Sequence, residues 1–504
     1  MLLVLLTIVV VTCITYLYLR PLIDNLLYSV PHQPKYVHSY IPLIGFGLRL
    51  AKDPIDFVRS FYMKYGKTFV ISMASKRWVY MYDEQTYLTK VLKSSELSIE
   101  EFLVDFTVAG LNTSRQCVAN EDIQQIQLKQ YHHYLVGKEL EVLNKRVHDS
   151  LKRSISNDAK SMQNDRTKVV NFFDFFGELM LYAGCEGLFG KTFTDEQRNA
   201  TPNFYRLFED FDESIRLNVF CIPFRTLLHK SLYDNRRTFI KRFYSLKRNN
   251  GESNLIHARE ELYRSDQYKH LFTEYDIAAL QAAFLWAAVA NTAPMGCWSL
   301  MDLFLHPEAF AAVKRELEEN IPASSAASVY DKETLAKLKI LESCIHDTIR
   351  RVSNGISTRQ AMTNTTIECS DKSKIGLRKG DMLIYPTFLK HFDPDLFGPN
   401  PYEYQYDRYV KRPHHSKVPS VMLFGCGPHT CPGRYWAINE IKIYVALVIQ
   451  HMNIEFINIT EQDKADFRKK LPYDYTKIVS SGGPKKVHKH KFDIKYSYKN
   501  TNID

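Results

Sequence analysis

The stretch Phe424-Gly425-Cys426-Gly427-Pro428-His429-Thr430-Cys431-Pro432-Gly433-Arg434 constrains this chain more than any other part of its sequence. A helical pattern follows at once, with apolar side chains at Ala437, Ile438, Ile441, Ile443, Val445, Leu447 and Val448. Cys431 therefore sits at a helix N-terminus. Free backbone N–H groups and the helix dipole there favour negative charge on sulfur. The glycines let the backbone approach a large flat cofactor closely. A single thiolate with neither C-x-x-C spacing nor His partners suits the axial position of a haem iron. A zinc site needs three or four ligands. The bland alternative is a cysteine buried in an ordinary loop.

The four fixed positions Phe424, Gly427, Cys431 and Gly433 resemble the haem-binding loop of the cytochrome P-450 family, F-x-x-G-x-x-x-C-x-G. They fall in the last fifth of a chain of the right length. Cys426 is a rival thiol, but no Phe and Gly stand at matching offsets before it, and it reads as a small packing residue. The resemblance implies a mostly α fold with small β-sheets. It also implies one large catalytic unit where 504 residues would otherwise suggest two or more domains. The cofactor implied is haem b, with Cys431 as the axial ligand of its iron. Phe424, Gly427, His429 and Gly433 would lie in the cofactor-binding loop.

Composition agrees with a chain that can enclose such a group: 45% is hydrophobic, with 30 Phe and 31 Tyr. Nine cysteines, an odd number without paired spacing, argue for a reducing compartment without a disulfide framework. The net charge of +10 lacks the Lys/Arg block that tracks nucleic-acid phosphates, so no nucleic-acid partner is expected. An anionic membrane surface or an acidic protein partner fits the charge better. Residues Leu2 to Leu19 carry no charged side chain, a length that suits a hydrocarbon core, and Arg20 follows. No basic residue precedes this run, which disfavours a cleaved signal peptide, and the positive-inside tendency leaves the bulk of the chain in the cytosol. The expected organisation is a membrane anchor at 1–20, a proline-containing hinge at 21–45 (Pro21, Pro31, Pro34, Pro42) and a catalytic domain at 46–504. The expected location is the endoplasmic reticulum membrane, single-pass, with the catalytic domain cytosolic.

Thr68 to Tyr82 reads as a β-hairpin, and Lys379-Gly380-Asp381 as the turn of a second hairpin between Gly376 and Ile384. From Asp122 to Leu305 nearly everything looks helical, with loops near Asn112, Asn164 and Gly251. Phe492 to Tyr496 alternates like a strand, and Ser324–Ser328 reads as a surface loop.

Asp276 to Leu305 forms one long apolar helical pattern that contains Trp286-Ala287-Ala288-Val289-Ala290-Asn291-Thr292-Ala293-Pro294. Pro294 has no N–H, so the carbonyl of Ala290 loses its usual partner and the helix should open at Asn291 and Thr292. A widened turn of this kind can hold a water or dioxygen, and the Thr292 hydroxyl both donates and accepts. A packing Thr in a kinked core helix is the plain alternative. The family usually carries an acid before this Thr. Asn291 stands there instead and can orient water without ionising. The Trp-Ala-x-x-Ala-Asn-Thr-x-Pro pattern resembles the sterol 7α-hydroxylase branch of the family, as do Ile41-Pro42-Leu43-Ile44-Gly45, Lys52-Asp53-Pro54 and Leu305-His306-Pro307-Glu308-Ala309.

The family's Glu-x-x-Arg is represented by Asp347-Thr348-Ile349-Arg350, one methylene shorter, and Arg408 matches the later Arg that completes the cluster. The i, i+3 spacing puts Asp347 and Arg350 on one helix face, and arginine can bind a carboxylate on two sides. That cluster would have a structural role, shaping the loop that presents Cys431. His429 replaces an Arg that usually pairs with a haem propionate, and Arg359 is the better candidate for that role. Lys129, His132 and His133 lie where an early Trp-x-x-x-Arg is usual, and none matches it.

The implied reaction inserts one oxygen atom from dioxygen into a C–H bond of a sterol or oxysterol, with 7α-hydroxylation expected and Thr292 and Asn291 as the catalytic pair. No G-x-G-x-x-G opens a strand–helix unit, so electrons are expected from a separate NADPH-dependent reductase. The basic run Lys411, Arg412, His414, His415 and Lys417 could dock an acidic partner; a solvated loop is the alternative. Two other classes remain open. One is a haem-thiolate isomerase or peroxide-rearranging enzyme resembling prostacyclin synthase. The other is a membrane sensor of haem or lipid.

Overall fold

The computed structural model describes the chain except for residues 1–11, 13–14, 17–18, 20–21, 24, 40–44, 74–75, 163–166, 220–224, 247–250, 322–329, 354, 412–421, 470, 473–491 and 500–504. Most of the expected anchor, the Ile41–Ile44 motif, the turn near Asn164, the Ser324–Ser328 loop and Arg412–Lys417 of the basic run lie outside the described residues. The described strands are β1 (Tyr36–Val37), β2 (Thr68–Met73), β3 (Lys76–Met81), β4 (Leu97–Ser98), β5 (Lys168–Asn171), β6 (Ser357–Ala361), β7 (Thr365–Glu368), β8 (Lys374–Leu377), β9 (Met382–Tyr385), β10 (Met452–Phe456) and β11 (Asp493–Tyr498). The chain divides into two compact units. The first takes Met1–Phe106, Asn354–His391 and Gly425–Thr430; the second takes Thr107–Ser353, Phe392–Phe424 and Cys431–Asp504.

The first unit is built on a six-stranded sheet in the order β1-β2-β3-β9-β6-β4, beside the two-stranded pair β7-β8. The hairpin expected at Thr68 to Tyr82 is β2 and β3, antiparallel from Thr68 opposite Met81 to Met73 opposite Lys76. Its Phe69, Val70, Ile71, Val79, Tyr80 and Met81 are all buried. Helix α1 (Pro54–Tyr65) starts where Asp53 accepts the backbone N–H of Asp56, with Pro54 in its first turn. Its Phe57 and Phe61 lie 4.3 Å apart, and Phe61 meets Phe69 at 5.5 Å, so helix and sheet share one aromatic core.

The second hairpin expected from the sequence is not formed. β8 pairs with β7, whereas β9 lies between β3 and β6. The residues of the turn explain the difference. The Asp381 carboxylate accepts the N–H of Arg378 at 3.0 Å and Arg77 Nε at 2.8 Å. Gly380, at φ 88°, donates to the Ala361 carbonyl at 2.8 Å. The turn is thus tied sideways to β6 and β3 and cannot fold β9 back on β8.

Part of the proline-containing segment is docked on this unit. Arg378 Nη2 donates to Gln33 Oε1 at 2.6 Å and to the Asn25 carbonyl at 3.0 Å. Arg77 Nη1 donates to Asn25 Oδ1 at 2.8 Å. The N–H of Gly376 bonds the His32 carbonyl at 2.8 Å.

The second unit is mostly helical. The helices that bear on function are α2 (Gly137–Ser161), α3 (Phe172–Asn199), α4 (Phe204–Val219), α5 (Glu274–Val289), α6 (Thr292–Leu305), α7 (Lys339–Val352) and α8 (Arg434–His451). Glycines on α3 set its distance from its neighbours. A Cβ at Gly184 would meet Val289 Cγ2 at 2.7 Å and Glu440 Oε1 at 3.3 Å; one at Gly187 would meet Val147 Cγ2 at 3.2 Å and Trp436 Cζ2 at 3.3 Å. α5 opens on a capping box between Thr273 and Asp276, and Asp276 also accepts the N–H of Ser114 at 2.9 Å. Among the described residues, the stretch Glu274–Leu305 is long and apolar enough to cross a membrane, yet 61% of its most apolar window is buried, as befits a core helix.

The strand expected at Phe492 to Tyr496 is β11, in a three-stranded sheet ordered β10-β11-β5. β5 was not expected, because it lies inside the region read as helical. Its partner is β11, with Asn171 opposite Asp493, so nothing local announces it.

Gly376 has no room for a side chain, since a Cβ there would clash with the carbonyl oxygen of Pro31, which is backbone and cannot rotate away. Gly376→Ala is therefore expected to cost about 1–3 kcal/mol by overpacking, read as a lower midpoint in thermal unfolding. An unchanged midpoint would show that the docked segment is free to move.

Candidate functional site

The loop that carries Cys431 is divided between the units: Phe424 and Cys431 belong to the second, residues 425–430 to the first. In the second unit the N–H of Cys431 donates to the Phe424 carbonyl at 2.8 Å, which fixes the cysteine just before α8. A Cβ at Gly433 would sit 3.9 Å from Cys431 Sγ, in ordinary contact, so this glycine lies directly beside the sulfur. Burial pushes the Cys431 thiol up, while the backbone N–H groups of Gly433 and Arg434 and the Arg434 charge pull it down. Helix-end stabilisation of the thiolate is thus present, but burial outweighs it. Coordination to a metal ion deprotonates a thiol outright. In the first unit Gly425 (φ 75°) and Gly427 (φ 67°) adopt backbone that disfavours a side chain, and a Cβ at Gly427 would press on Leu92 Cδ1 at 3.0 Å.

Arg359 lies on β6 in the first unit and is 4% exposed. Its Nη1 donates to the neighbouring Thr358 carbonyl at 2.7 Å, and no described carboxylate lies within ion-pair distance. A buried guanidinium without a counter-ion is costly, and none stands beside Arg359 among the described residues, so this position fits an anionic group. His429 Nε2 is 3.3 Å from Glu100 Oε1. Burial and then the Arg359 charge push the His429 ring below the usual histidine range, against a smaller upward pull from Glu100. It is the poorer cation of the two. Cys426 is half-buried, and burial raises its thiol against Ser357 and Arg359.

In the second unit the long apolar helix breaks where Pro294 requires. α5 ends at Val289 and α6 begins at Thr292. Ala290 (φ −59°, ψ −24°) and Asn291 (φ −99°, ψ −42°) keep right-handed dihedrals, so the break is a gap in hydrogen bonding and not a change of course. Thr292 Oγ1 donates to the Ala288 carbonyl at 2.7 Å, and the residue is 5% exposed. Asn291 is half-buried.

The structure brings Asp347, Arg350 and Arg408 together. Asp347 Oδ1 accepts Arg350 Nε and Arg408 Nε, each at 2.8 Å, and Oδ2 accepts the N–H of Gln405 at 2.8 Å. Arg350 Nη1 donates to the Pro401 carbonyl at 2.6 Å, and Arg408 Nη1 to that of Phe397 at 3.1 Å. Both guanidiniums lie over the Phe397 ring, at 4.5 and 5.5 Å. Aspartate thus reaches both arginines despite its missing methylene.

Two buried acids escaped the sequence reading. Asp302 on α6 accepts Arg351 Nη1 and Thr348 Oγ1, each at 2.8 Å, on the neighbouring face of α7. The adjacent Arg350-Arg351 pair was the available signal, since consecutive residues of a helix do not face each other and so call for different partners. Glu440 on α8 is 1% exposed with both carboxylate oxygens unpaired among the described residues, and burial pushes its pKa up to about 8.

The family model for Cytochrome P450 matches residues 34–476. The chain is 25% identical over 448 residues to Cytochrome P450 7B1 of Mus musculus, covering 85% of this chain and 86% of that protein. It is 24% identical over 454 residues to Cholesterol 7-alpha-monooxygenase of Cricetulus griseus, covering 84% and 87%. It is 25% identical over 473 residues to 5-beta-cholestane-3-alpha,7-alpha-diol 12-alpha-hydroxylase of Sus scrofa, covering 85% and 87%.

Asp347→Ala leaves two buried guanidiniums without their carboxylate and is expected to cost about 3–5 kcal/mol, measured as a fall in the denaturant midpoint. A loss below about 1 kcal/mol, the range of exposed pairs, would contradict the buried cluster. Glu440 gives a prediction with a sign. Its carboxyl is protonated in the folded chain up to about pH 8 but ionises near the ordinary value once unfolded, so its contribution to stability falls as pH rises through that window. Glu440→Gln is expected to gain stability relative to wild type on going from pH 5 to pH 9. A difference that does not change with pH would refute the assignment.

Proposed function

This chain belongs to the cytochrome P450 family, and from that premise we propose that it hydroxylates a sterol or oxysterol, at the 7α position, on electrons delivered by a separate NADPH-dependent reductase. The enzyme class is that of a P450 monooxygenase, and the family's cofactor is haem b. The observation that carries the sterol reading is the run of relatives whose names are sterol hydroxylases, each aligned over most of both chains. The membrane anchor at 1–20, the hinge at 21–45 and residence in the endoplasmic reticulum membrane belong to the same proposal. They are supported by the uncharged run Leu2 to Leu19.

The residues fit the cofactor on two independent counts. In one unit Cys431 is held just before a helix by the bond of its N–H to the Phe424 carbonyl. In the other, Arg359 is a buried guanidinium with no carboxylate within ion-pair distance among the described residues. Cys431 would hold the iron, and Arg359 would pair with a propionate, with His429 in a lesser role. Phe424 would brace the loop through its carbonyl, and Gly427 and Gly433 would clear it. Bound through a thiolate, haem supplies activation of dioxygen and insertion of one oxygen atom into a C–H bond.

The chain's own part is to position, to keep dry and to move protons. Thr292 Oγ1 holds a proton on the Ala288 carbonyl and can hand it on by releasing that bond. Asn291 orients water beside it without ionising. Asp347, Arg350 and Arg408 keep the Phe397–Arg408 segment rigid.

The test is an optical titration of the haem-loaded protein with oxysterols, bile-acid precursors and fatty acids, followed by product analysis with a reductase. A saturable Soret shift with an oxysterol and a 7α-hydroxylated product are expected. Thr292→Ala is expected to lower product formation by about tenfold or more, as loss of a proton-transfer group does. A response to fatty acids or peroxides alone, with turnover that survives Thr292→Ala, would replace this reading with a rearrangement. A 12α product would keep the sterol and move the carbon.

A further inference from the structure

Arg359 is not the only donor at its place in the first unit. Side chains alternate along β6, so Ser357 and Arg359 share one face of it. Ser357 stands opposite Tyr385 of β9. The Tyr385 ring stacks on that of Tyr87 at 4.7 Å, and Tyr87 is fully buried on the short helix Glu84–Thr89. The Tyr87 hydroxyl and Ser357 Oγ are 2.5 Å apart. We propose that this hydroxyl pair is the second arm of a seat for a haem propionate: Ser357 donates to the carboxylate that Arg359 pairs with, and Tyr87 holds Ser357 in place.

Two hydroxyls carry two hydrogens, and the bond between them uses one. Tyr87 is closed off by burial, so its hydrogen goes to Ser357 and the Ser357 hydrogen is left over. No oxygen among the described residues accepts it. The Cys426 thiol lies by Ser357, but sulfur accepts only weakly. Arg359 adds the N–H groups of its guanidinium, of which Nη1 meets the Thr358 carbonyl. Donors therefore outnumber acceptors on this face of β6.

The nearby carboxylates of the same unit have other partners. Glu84 Oε2 is 3.6 Å from Lys390 Nζ, and Glu100 Oε1 is 3.3 Å from His429 Nε2. Burial raises the Tyr87 phenol, up to about 12, and also the Cys426 thiol. The Arg359 charge opposes burial at both, so the guanidinium stands close to the hydroxyl pair. A carboxylate brought from outside the chain has two oxygens to share between a guanidinium and a hydroxyl, and both bonds are charge-assisted. Ser357 touches the cofactor in this arrangement. Tyr87 acts through Ser357 and is a positioning residue.

The inference rests on haem binding through Cys431 and Arg359 and not on the choice of sterol. The full-length haem-loaded protein is the material, with Ser357→Ala, Tyr87→Phe, Tyr385→Phe and Arg359→Leu. The readout is the rate of haem loss to an excess of a haem-scavenging apoglobin. It is measured with haem b and with its dimethyl ester, whose propionates carry no charge. With haem b, Ser357→Ala should speed the loss about tenfold to a hundredfold, as removal of a bond to a charged group does. Tyr87→Phe should speed it about twofold to tenfold, the effect of one neutral bond. Tyr385→Phe removes a buried hydroxyl that has no partner among the described residues and should leave the rate within about twofold. With the ester, Ser357→Ala and Tyr87→Phe should each fall within about twofold of the wild type, because the interaction is already gone.

Equal acceleration with both haems would assign the effect to packing and overturn the proposal. An unchanged rate in Ser357→Ala with haem b, beside a fast Arg359→Leu, overturns the hydroxyl arm alone. If Arg359→Leu is also unchanged with haem b, the pairing of Arg359 with a propionate falls as well.

Discussion

One fully buried carboxylate, Asp347, neutralises two buried guanidiniums, and the hold of the Phe397–Arg408 segment on α7 in the second unit depends on it. Burying three charged groups is expensive unless each is fully bonded. Here Nη1 and Nη2 of both Arg350 and Arg408 each donate to a carbonyl, at Phe397, Pro401 or Glu403, and Asp347 Oδ2 accepts a backbone N–H. The segment from Phe397 to Arg408 is thereby fastened to α7. On the neighbouring face of the same helix Arg351 repeats the device with Asp302 of α6, which ties α7 to the helix that carries Thr292. Aspartate in place of glutamate changes the length of one arm and not the logic of the cluster.

The apolar helix pair α5–α6 is the second constraint. Its composition would suit a membrane, but capping at Thr273 and close contact with the glycine seam of α3 make it a core element. Within it a single proline removes one amide, and the consequence stays local: dihedrals remain helical, while a small cavity opens beside Ala290 and Pro294. α8 combines similar density with a buried acid, Glu440, whose protonated form is the one the interior favours.

What was legible in the sequence was local in origin. The spacing around Cys431, the proline after Thr292, the hairpin at Thr68–Tyr82 and the i, i+3 pair Asp347–Arg350 each carry their meaning within a few residues. The failures involve partners far along the chain. Lys379-Gly380-Asp381 has the composition of a hairpin turn, but Arg77 claims Asp381 from 304 residues away. β5 exists because β11 pairs with it, and Asp302 is buried because Arg351 faces it. The burial of Glu440 could not be read from the sequence, since pattern alone does not reveal that α8 is covered on nearly every side. The role expected of Arg359 could be guessed from position, but that no described carboxylate pairs with it is visible only in the fold.

The claim on which the rest stands is that Cys431 ligates haem iron as a thiolate. The most direct measurement is the carbon monoxide difference spectrum of the reduced, haem-loaded protein, compared between wild type and Cys431→Ser. The account predicts the long-wavelength Soret band of thiolate ligation in the wild type and its loss in the variant, with Cys426→Ser leaving it intact. Retention of that band in Cys431→Ser, or its loss in Cys426→Ser alone, would contradict the assignment.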